Sequence, residues 1–363
     1  MKFKAIIAAA ALTALTACTG SPARYTVKGS VQDTLATLPG SMVYLLYGDE
    51  VKDSSAIKNG TFSFSGDIDK TKIYGVIMQY PGRGRNEARF VSSFVPDSKS
   101  IAIDLDYPAT VTGSPLTDEL GKLQENLMNL YYEKDVEINA LRMNGKDAEA
   151  DSVYNDQMNK IHDLCRQTFL DHSDDAIGDQ AFSLMLQDFG YEELSALLEK
   201  AAPFIAEDPA TVSQMEIKKA EFETGPGCPM REITGTTADG DPVKLSDFVG
   251  KGDYVLADFW ASWCGPCMRA LPEVRSLRDQ YASKGLKLVG INVWERAENA
   301  GQECAKEKEM DWDIIFTSGR EAPNSYGIIG IPSFVLFAPD GTIADRLLGD
   351  EGLAEMIARN LDK

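Results

Sequence analysis

The amino-acid sequence predicts three structural regions in succession: a small all-β sandwich over residues 25–114, a helical region over 115–222 and an α/β domain over 223–363. Three observations carry this expectation. As far as Leu105, apolar residues alternate in short runs separated by turn residues, the period of half-buried strands. From Leu116 they recur at three and four, through Leu120, Leu123, Leu127 and Leu130, the period of one helix face. Beyond Thr224-Gly225-Pro226-Gly227, strand-like and helix-like stretches take turns. At 363 residues, each region is long enough for its own core, and 44% apolar with 25% charged residues is a globular composition.

In the first region Tyr25, Val27 and Gly29 begin an alternating run that ends near Val31. Val43, Leu45 and Tyr47 alternate, Gly48-Asp49 turns, and Val51 resumes. Asn59-Gly60, flanked by Ile57, Phe62 and Phe64, is a hairpin signal because both residues tolerate positive φ. Further strands fit 73–79, 90–95 and 101–105, and short strands at this spacing suggest a sandwich. Arg83, Arg85 and Arg89, near a Pro-Gly turn, read as a solvated loop.

In the second region Asn144-Gly145 breaks the first helix, and Val153, Met158, Ile161, Leu164 and Cys165 continue on another. Shorter helices fit 176–187, 191–200 and 209–222. Met128, Met158, Met185 and Cys165 read as packing residues, and His162 and His172 as surface or satisfied ones. This region is expected to space or dock the other two. In the third, strands fit 255–259, 286–293, 314–317, 333–338 and 342–348, with helices from Cys264, around 297–308 and over 352–361.

The first residues stand apart from fold reasoning. Lys2 and Lys4 precede an apolar run from Ala5 to Leu12, and a small-residue stretch ends at Cys18. That is the pattern of a secretory signal peptide over 1–17. Leu15-Thr16-Ala17-Cys18 resembles the lipobox of bacterial lipoproteins, in which the peptide is cleaved before the cysteine and the cysteine is lipidated. The resemblance implies a lipidated tether over 18–24 and a bacterial envelope protein that is lipid-anchored and periplasm-facing. The formal net charge is -20. A chain this acidic repels nucleic acid and anionic headgroups, so neither is an expected partner.

Trp263-Cys264-Gly265-Pro266-Cys267 follows a predicted strand and opens a predicted helix. Helix N-termini present free N–H groups and partial positive charge, which stabilise a thiolate. Cys264 at that end would be the nucleophile, and the two-residue spacing brings Cys267 within reach to close a disulfide. Pro266 lies in the first turn, where its missing N–H costs nothing. A zinc knuckle needs four ligands, yet there is no second C-x-x-C and there are only two histidines. Redox chemistry is therefore the expectation, with no cofactor beyond the disulfide itself. Cys165, Cys228 and Cys304 remain, an odd number for an oxidising compartment, so at least one is free or pairs outside the chain.

Residues 257–267, Ala-Asp-Phe-Trp-Ala-Ser-Trp-Cys-Gly-Pro-Cys, are similar to the active-site stretch of the thioredoxin superfamily. The lead-in at 239–248 looks like that of its envelope branch, the TlpA/ResA-like thiol–disulfide oxidoreductases, and 25–64 resembles an uncharacterised β domain found ahead of thioredoxin domains in bacterial lipoproteins. The resemblance covers roughly the last 140 residues. It implies a thioredoxin fold in which Cys264 attacks a substrate disulfide and Cys267 resolves the mixed disulfide. It makes Pro272 a helix-kinking proline and Asp258 a buried acid that takes the Cys267 proton. Pro332 would be a cis-proline opposite the pair, with Ile331 offering backbone groups to an extended substrate and Trp263 shielding one side. Gly265-Pro266 resembles the dipeptide of reductants. At Cys228 the family more often has alanine, and both Cys228 and Cys304 read as small buried residues. The expected function is reduction of disulfides in exported proteins, supplied by a membrane electron donor. The rivals are a peroxiredoxin-type peroxidase, which needs one cysteine with Thr or Ser and Arg beside it, and a ligand-binding lipoprotein with a subsidiary redox domain.

Overall fold

Alternating apolar residues close two sheets on one another in the first part of the chain. The computed structural model describes residues 23–32, 38–79 and 89–362, with side chains throughout except at 89–91. The expectations about the signal peptide, Cys18, Arg83, Arg85 and the Arg89 side chain lie outside the described residues. The strands are β1 (Arg24–Ser30), β2 (Met42–Tyr47), β3 (Glu50–Ala56), β4 (Thr61–Asp67), β5 (Tyr74–Gln79), β6 (Arg89–Phe94), β7 (Ser100–Asp104) and β8 (Thr110–Thr112). They form two four-stranded sheets, in the orders β4-β1-β7-β8 and β3-β2-β5-β6. Val27, Phe62, Phe64 and Ile101 from one sheet and Val43, Leu45, Val76 and Met78 from the other share one core, so this is the expected sandwich.

Asn59 and Gly60 take positive φ of 52° and 70°, as a tight turn requires. The turn nevertheless carries one bridge, Lys58 to Thr61, and no hairpin. Its flanks find longer partners elsewhere: β3 pairs with β2, and β4 pairs with β1 from Arg24↔Asp67 to Ser30↔Thr61. The turn thus passes the chain from one sheet to the other.

Four helices follow: α1 (Pro115–Glu133), α2 (Asp135–Met143), α3 (Asp147–Asp171) and α4 (Ala176–Asp188). Ser114 caps α1, its hydroxyl accepting from Thr117 N at 3.2 Å and donating to Val95 O at 2.9 Å. Leu120 and Leu123 bury the predicted face with Val95, Ala176 and Ile177. The helix expected to run to Asn144 is interrupted at Lys134, and Met128 is exposed rather than packed.

The chain divides into two compact units between Phe182 and Ser183, inside α4. The stretch 115–222 is therefore shared between two units instead of standing as a third. The second unit opens with α5 (Tyr191–Leu198), α6 (Pro203–Ala206) and α7 (Pro209–Phe222). Its sheet comprises β9 (Thr234–Thr236), β10 (Pro242–Lys244), β11 (Tyr254–Trp260), β12 (Leu286–Asn292), β13 (Asp313–Phe316), β14 (Ser333–Phe337) and β15 (Ile343–Leu348). Its later helices are α8 (Gly265–Tyr281), α9 (Ala300–Glu307), α10 (Glu321–Ser325) and α11 (Leu353–Leu361). The order β10-β9-β13-β12-β11-β14-β15 puts β11 inside, parallel to β12 and antiparallel to β14. Its side chains alternate between two covered faces. Val255, Ala257 and Phe259 pack with Tyr326 and Phe337, and Leu256 packs with Val274 of α8 and Met356 of α11. This is a thioredoxin fold.

Helix α7 belongs to this unit because the sheet side holds its C-terminus. Arg346 of β15 donates from Nη1 to Glu221 O at 3.0 Å and to Thr224 Oγ1 at 2.6 Å, and from Nη2 to Tyr326 O at 2.6 Å. Gly327 lies against the helix; a Cβ there would fall 2.6 Å from Glu221 N and 2.7 Å from Ile217 O. Among the described residues no helix is long and apolar enough to cross a membrane.

Replacing Arg346 by Leu leaves these carbonyls without their charged donor. Hydrogen bonds to charged groups contribute about 1.5–3 kcal/mol, so the second unit should lose on the order of 3 kcal/mol. Urea denaturation of the variant beside the wild type measures it. A loss below about 0.5 kcal/mol would mean that Arg346 does not hold α7.

Candidate active site

Strand β11 ends at Trp260, three residues turn, and Cys264 becomes the N-cap of α8. Cys264 has extended φ and ψ, and its Sγ accepts from Cys267 N at 3.1 Å, as a capping side chain does. Gly265 and Pro266 fill the first two helical positions, so the cysteines lie 5.3 Å apart at Cα and are joined as a disulfide. Both are closed in, Cys264 at 3% exposure and Cys267 at 5%, so exposure in the oxidised form does not single out Cys264. Its place does: it meets the free N–H groups of the helix, while Cys267 lies a turn inside.

Across from the pair, Ile331-Pro332 is a cis peptide, as the resemblance implied, and Ile331 O lies 3.6 Å from Cys264 Sγ. Ile331 packs against the apolar cluster that contains both cysteines and Trp260. Trp263 is not a core aromatic. It is 41% exposed, donates from Nε1 to Trp294 O at 2.8 Å, and has the Arg296 guanidinium 4.4 Å above its ring centre.

Asp258 shares its strand face with Leu256 and Trp260. Leu256 packs on α8 and Trp260 packs with the cysteines, so the carboxyl lies on the α8 side of the sheet. It is 6% exposed, and its Oδ1 has no hydrogen-bond partner. Desolvation raises its pKa to about 7.

Sequence reasoning missed the loop after β12. Glu295 accepts from Ser262 N at 2.7 Å and Asn292 Nδ2 at 2.8 Å on one oxygen, and from Ser262 Oγ at 2.6 Å on the other. It thereby clamps the turn that delivers Cys264. Trp294, with φ of 56°, precedes it. One signal was available: β12 is the next strand of an α/β pattern, and ends of adjacent parallel strands meet at one side of the sheet. Cys304 and Cys228 are half-buried rather than buried, and Cys304 Sγ lies 3.8 Å from Met268 Sδ. Among the described residues no group of three His, Cys, Asp or Glu side chains is placed to hold a metal ion.

Residues 226–346 match a family model described as the AhpC/TSA family, and residues 25–120 match a domain of unknown function, DUF4369. The chain is 27% identical over 134 residues to the thiol-disulfide oxidoreductase ResA of Bacillus thuringiensis subsp. konkukian, covering 37% of this chain and 75% of that one. It is 30% identical over 115 residues to the sporulation thiol-disulfide oxidoreductase A of Bacillus subtilis, covering 31% of this chain and 68% of the relative. Among solved structures, the thioredoxin domain of a thiol-disulfide oxidoreductase from Bacteroides vulgatus is 27% identical, with a TM-score of 0.34, covering 38% of this chain and 98% of that one. A thioredoxin fold with a disulfide at the N-terminus of α8 defines the class, a redox enzyme that works through paired thiols. The chain belongs to the thiol–disulfide oxidoreductases of the ResA-like branch.

The buried carboxyl sets a pH dependence. With its folded value near 7 against an ordinary 3.8, the folded chain retains a proton that the unfolded chain releases between about pH 4 and 7. The destabilisation is thus absent below that window, grows through it as pH rises, and is constant above it. Asp258→Asn removes the titration. The variant's stability relative to wild type should rise between about pH 4 and 8 by on the order of 4 kcal/mol. Denaturation of both oxidised proteins across that range checks it, and a pH-independent difference would rule out the shifted carboxyl.

Proposed function

We propose that the protein reduces disulfides of exported proteins by dithiol–disulfide exchange. The observation that carries this reading is the Cys264–Cys267 disulfide at the N-terminus of α8, facing the cis Ile331-Pro332 peptide. In the reduced enzyme, the Cys264 thiolate attacks one sulfur of the substrate disulfide. An S–S bond to Cys264 forms, the substrate bond breaks, and the first substrate thiolate leaves. Asp258 accepts the proton of Cys267, whose thiolate attacks Cys264 Sγ and expels the second substrate thiolate. Two electrons pass to the substrate, whose sulfurs take up two protons, and the enzyme is left as its disulfide. A dithiol donor at the membrane then returns two electrons.

The reducing direction rests on Gly265-Pro266, since reductants of this type lie near roughly -270 mV and strong oxidants near roughly -120 mV. Paired cysteines, in place of a single cysteine beside Thr or Ser and Arg, set this reading against a peroxidase. Ile331 presents its carbonyl beside Cys264 to an extended substrate, and Trp263 borders the same place. The disulfide is the only redox group the reading requires. A net charge of -20 argues against nucleic acid as a partner. The lipobox-like Leu15-Thr16-Ala17-Cys18 supports anchoring at Cys18 in a bacterial envelope, facing the periplasm.

Insulin reduction driven by dithiothreitol tests the chemistry. The wild type should accelerate it, Cys264→Ser should abolish the acceleration, and Cys267→Ser should accumulate mixed disulfides through Cys264. Wild-type activity in Cys264→Ser would overturn the assignment.

Anchoring has its own test. The wild type, expressed in a bacterium with lipoprotein processing, should partition into detergent with the membranes. Cys18→Ala should be released or retain its leader. Recovery of wild-type protein only in the soluble envelope fraction would refute lipidation.

A further inference from the structure

Beside Trp263 lies a cavity of about 500 Å3 lined by Trp263, Trp294, Arg296, Arg320, Ile328 and Ile329, with one wall from α7. Its position follows from the segments that build it. Trp263 immediately precedes Cys264, and Ile328-Ile329 lead through Gly330 into the cis Ile331-Pro332 peptide. The cavity is thus lined from both segments that border the disulfide.

Its chemistry runs against that of the whole chain. There are 56 Asp and Glu against 36 Lys and Arg, yet no carboxylate lines this cavity. Arg296 and Arg320 are exposed, and among the described residues neither is ion-paired; Arg296 contacts the Trp263 ring, and Arg320 stands just before a five-residue helix without a side-chain cap bond to it. Glu295 keeps its negative charge, but its oxygens are held by Ser262 and Asn292, and among the described residues it forms no ion pair with Arg296. Glu295 and Glu298 line an adjoining cavity that shares Trp294, Arg296 and Arg320 with this one. Two unpaired guanidinium groups are thus presented beside indole and aliphatic surface, with Ile329 67% exposed. Planar donor forks of this kind bind carboxylates, and apolar walls strengthen the contact by excluding water.

We propose that this cavity holds an acidic side chain of the substrate polypeptide, so that the enzyme selects disulfides with Asp or Glu a few residues from the attacked cysteine. This deepens the exchange reading and rests on it. Arg296 and Arg320 are specificity residues here and take no part in moving electrons.

The test uses the full reduced chain and peptide disulfides that differ only in having Glu or Lys two and three residues from the attacked cysteine. At about 0.15 M salt, wild-type kcat/KM should favour the Glu peptide by roughly 10-fold, mostly through KM, the effect of two exposed charge pairs. Joint Arg296→Gln and Arg320→Gln should bring the two peptides within about 2-fold. Joint charge reversal to Glu should invert the order, which a merely structural role would not do. A Glu peptide with serine in place of cysteine should quench the indole fluorescence of the oxidised wild type and not that of the double Gln variant. Reduction of both peptides at equal rates overturns the pocket and leaves exchange standing. Failure to reduce either peptide overturns exchange and the selection with it, and binding of the serine peptide then marks only a carboxylate site at the arginines.

Discussion

Strand β11 is covered on both faces and paired along both edges, so the seven residues from Tyr254 to Trp260 have little freedom to shift without disturbing the core. Everything around the disulfide takes its position from that strand. Parallel β11 and β12 end at the same side of the sheet, in register at Trp260↔Asn292. Antiparallel β14 begins there, with Phe259↔Ser333 as the last rung. The turn after β11, the loop after β12, the residues before β14 and those after β13 therefore converge. They bring Cys264, Glu295, Pro332 and Arg320 to one edge, although these lie far apart in sequence. The convergence is a property of strand order, and no single motif encodes it.

Two carboxyls near that edge show how environment divides their roles. Glu295 accepts three hydrogen bonds and holds the turn before Cys264. Asp258 is buried with an oxygen that has no partner, and desolvation lifts its pKa to about 7. A carboxylate whose oxygens are satisfied makes a good clamp, whereas an unsatisfied buried carboxyl destabilises the fold and can exchange a proton near neutrality. The fold tolerates Asp258 at a stability cost that a well-packed apolar residue would not impose, and such costs concentrate at working sites.

What was legible in the sequence was local. The C-x-x-C pair, the strand feeding it, Asp258 and the Ile331-Pro332 dipeptide sit within or just before recognisable elements. The sandwich was legible because strand alternation survives in single residues such as Val43, Leu45, Phe62 and Phe64. What failed depended on distant partners. Arg346 grips Thr224 across 122 positions, and that contact assigns α7 to the second unit. Asn59-Gly60 made its turn, but longer registers on either side drew the flanks into different sheets. Strands β9 and β10, three residues each, are too short to show a period. Glu295 lies just beyond a strand whose neighbour only the sheet order reveals.

Net charge is the property most easily misread here. A charge of -20 describes the far field, which salt screens over a Debye length of about 8 Å at physiological ionic strength. Within a cavity of about 500 Å3 near groups dominate, and the charged groups of its lining are two guanidinium groups, with Glu295 and Glu298 in the adjoining cavity. At low salt, the far field of an acidic chain slows the approach of an acidic polypeptide; at physiological salt that repulsion fades while contacts within a few ångströms persist. The acidic surface and the cationic cavity are therefore compatible. In the proposed selection the cavity admits one carboxylate, so that local geometry rather than overall charge decides what binds.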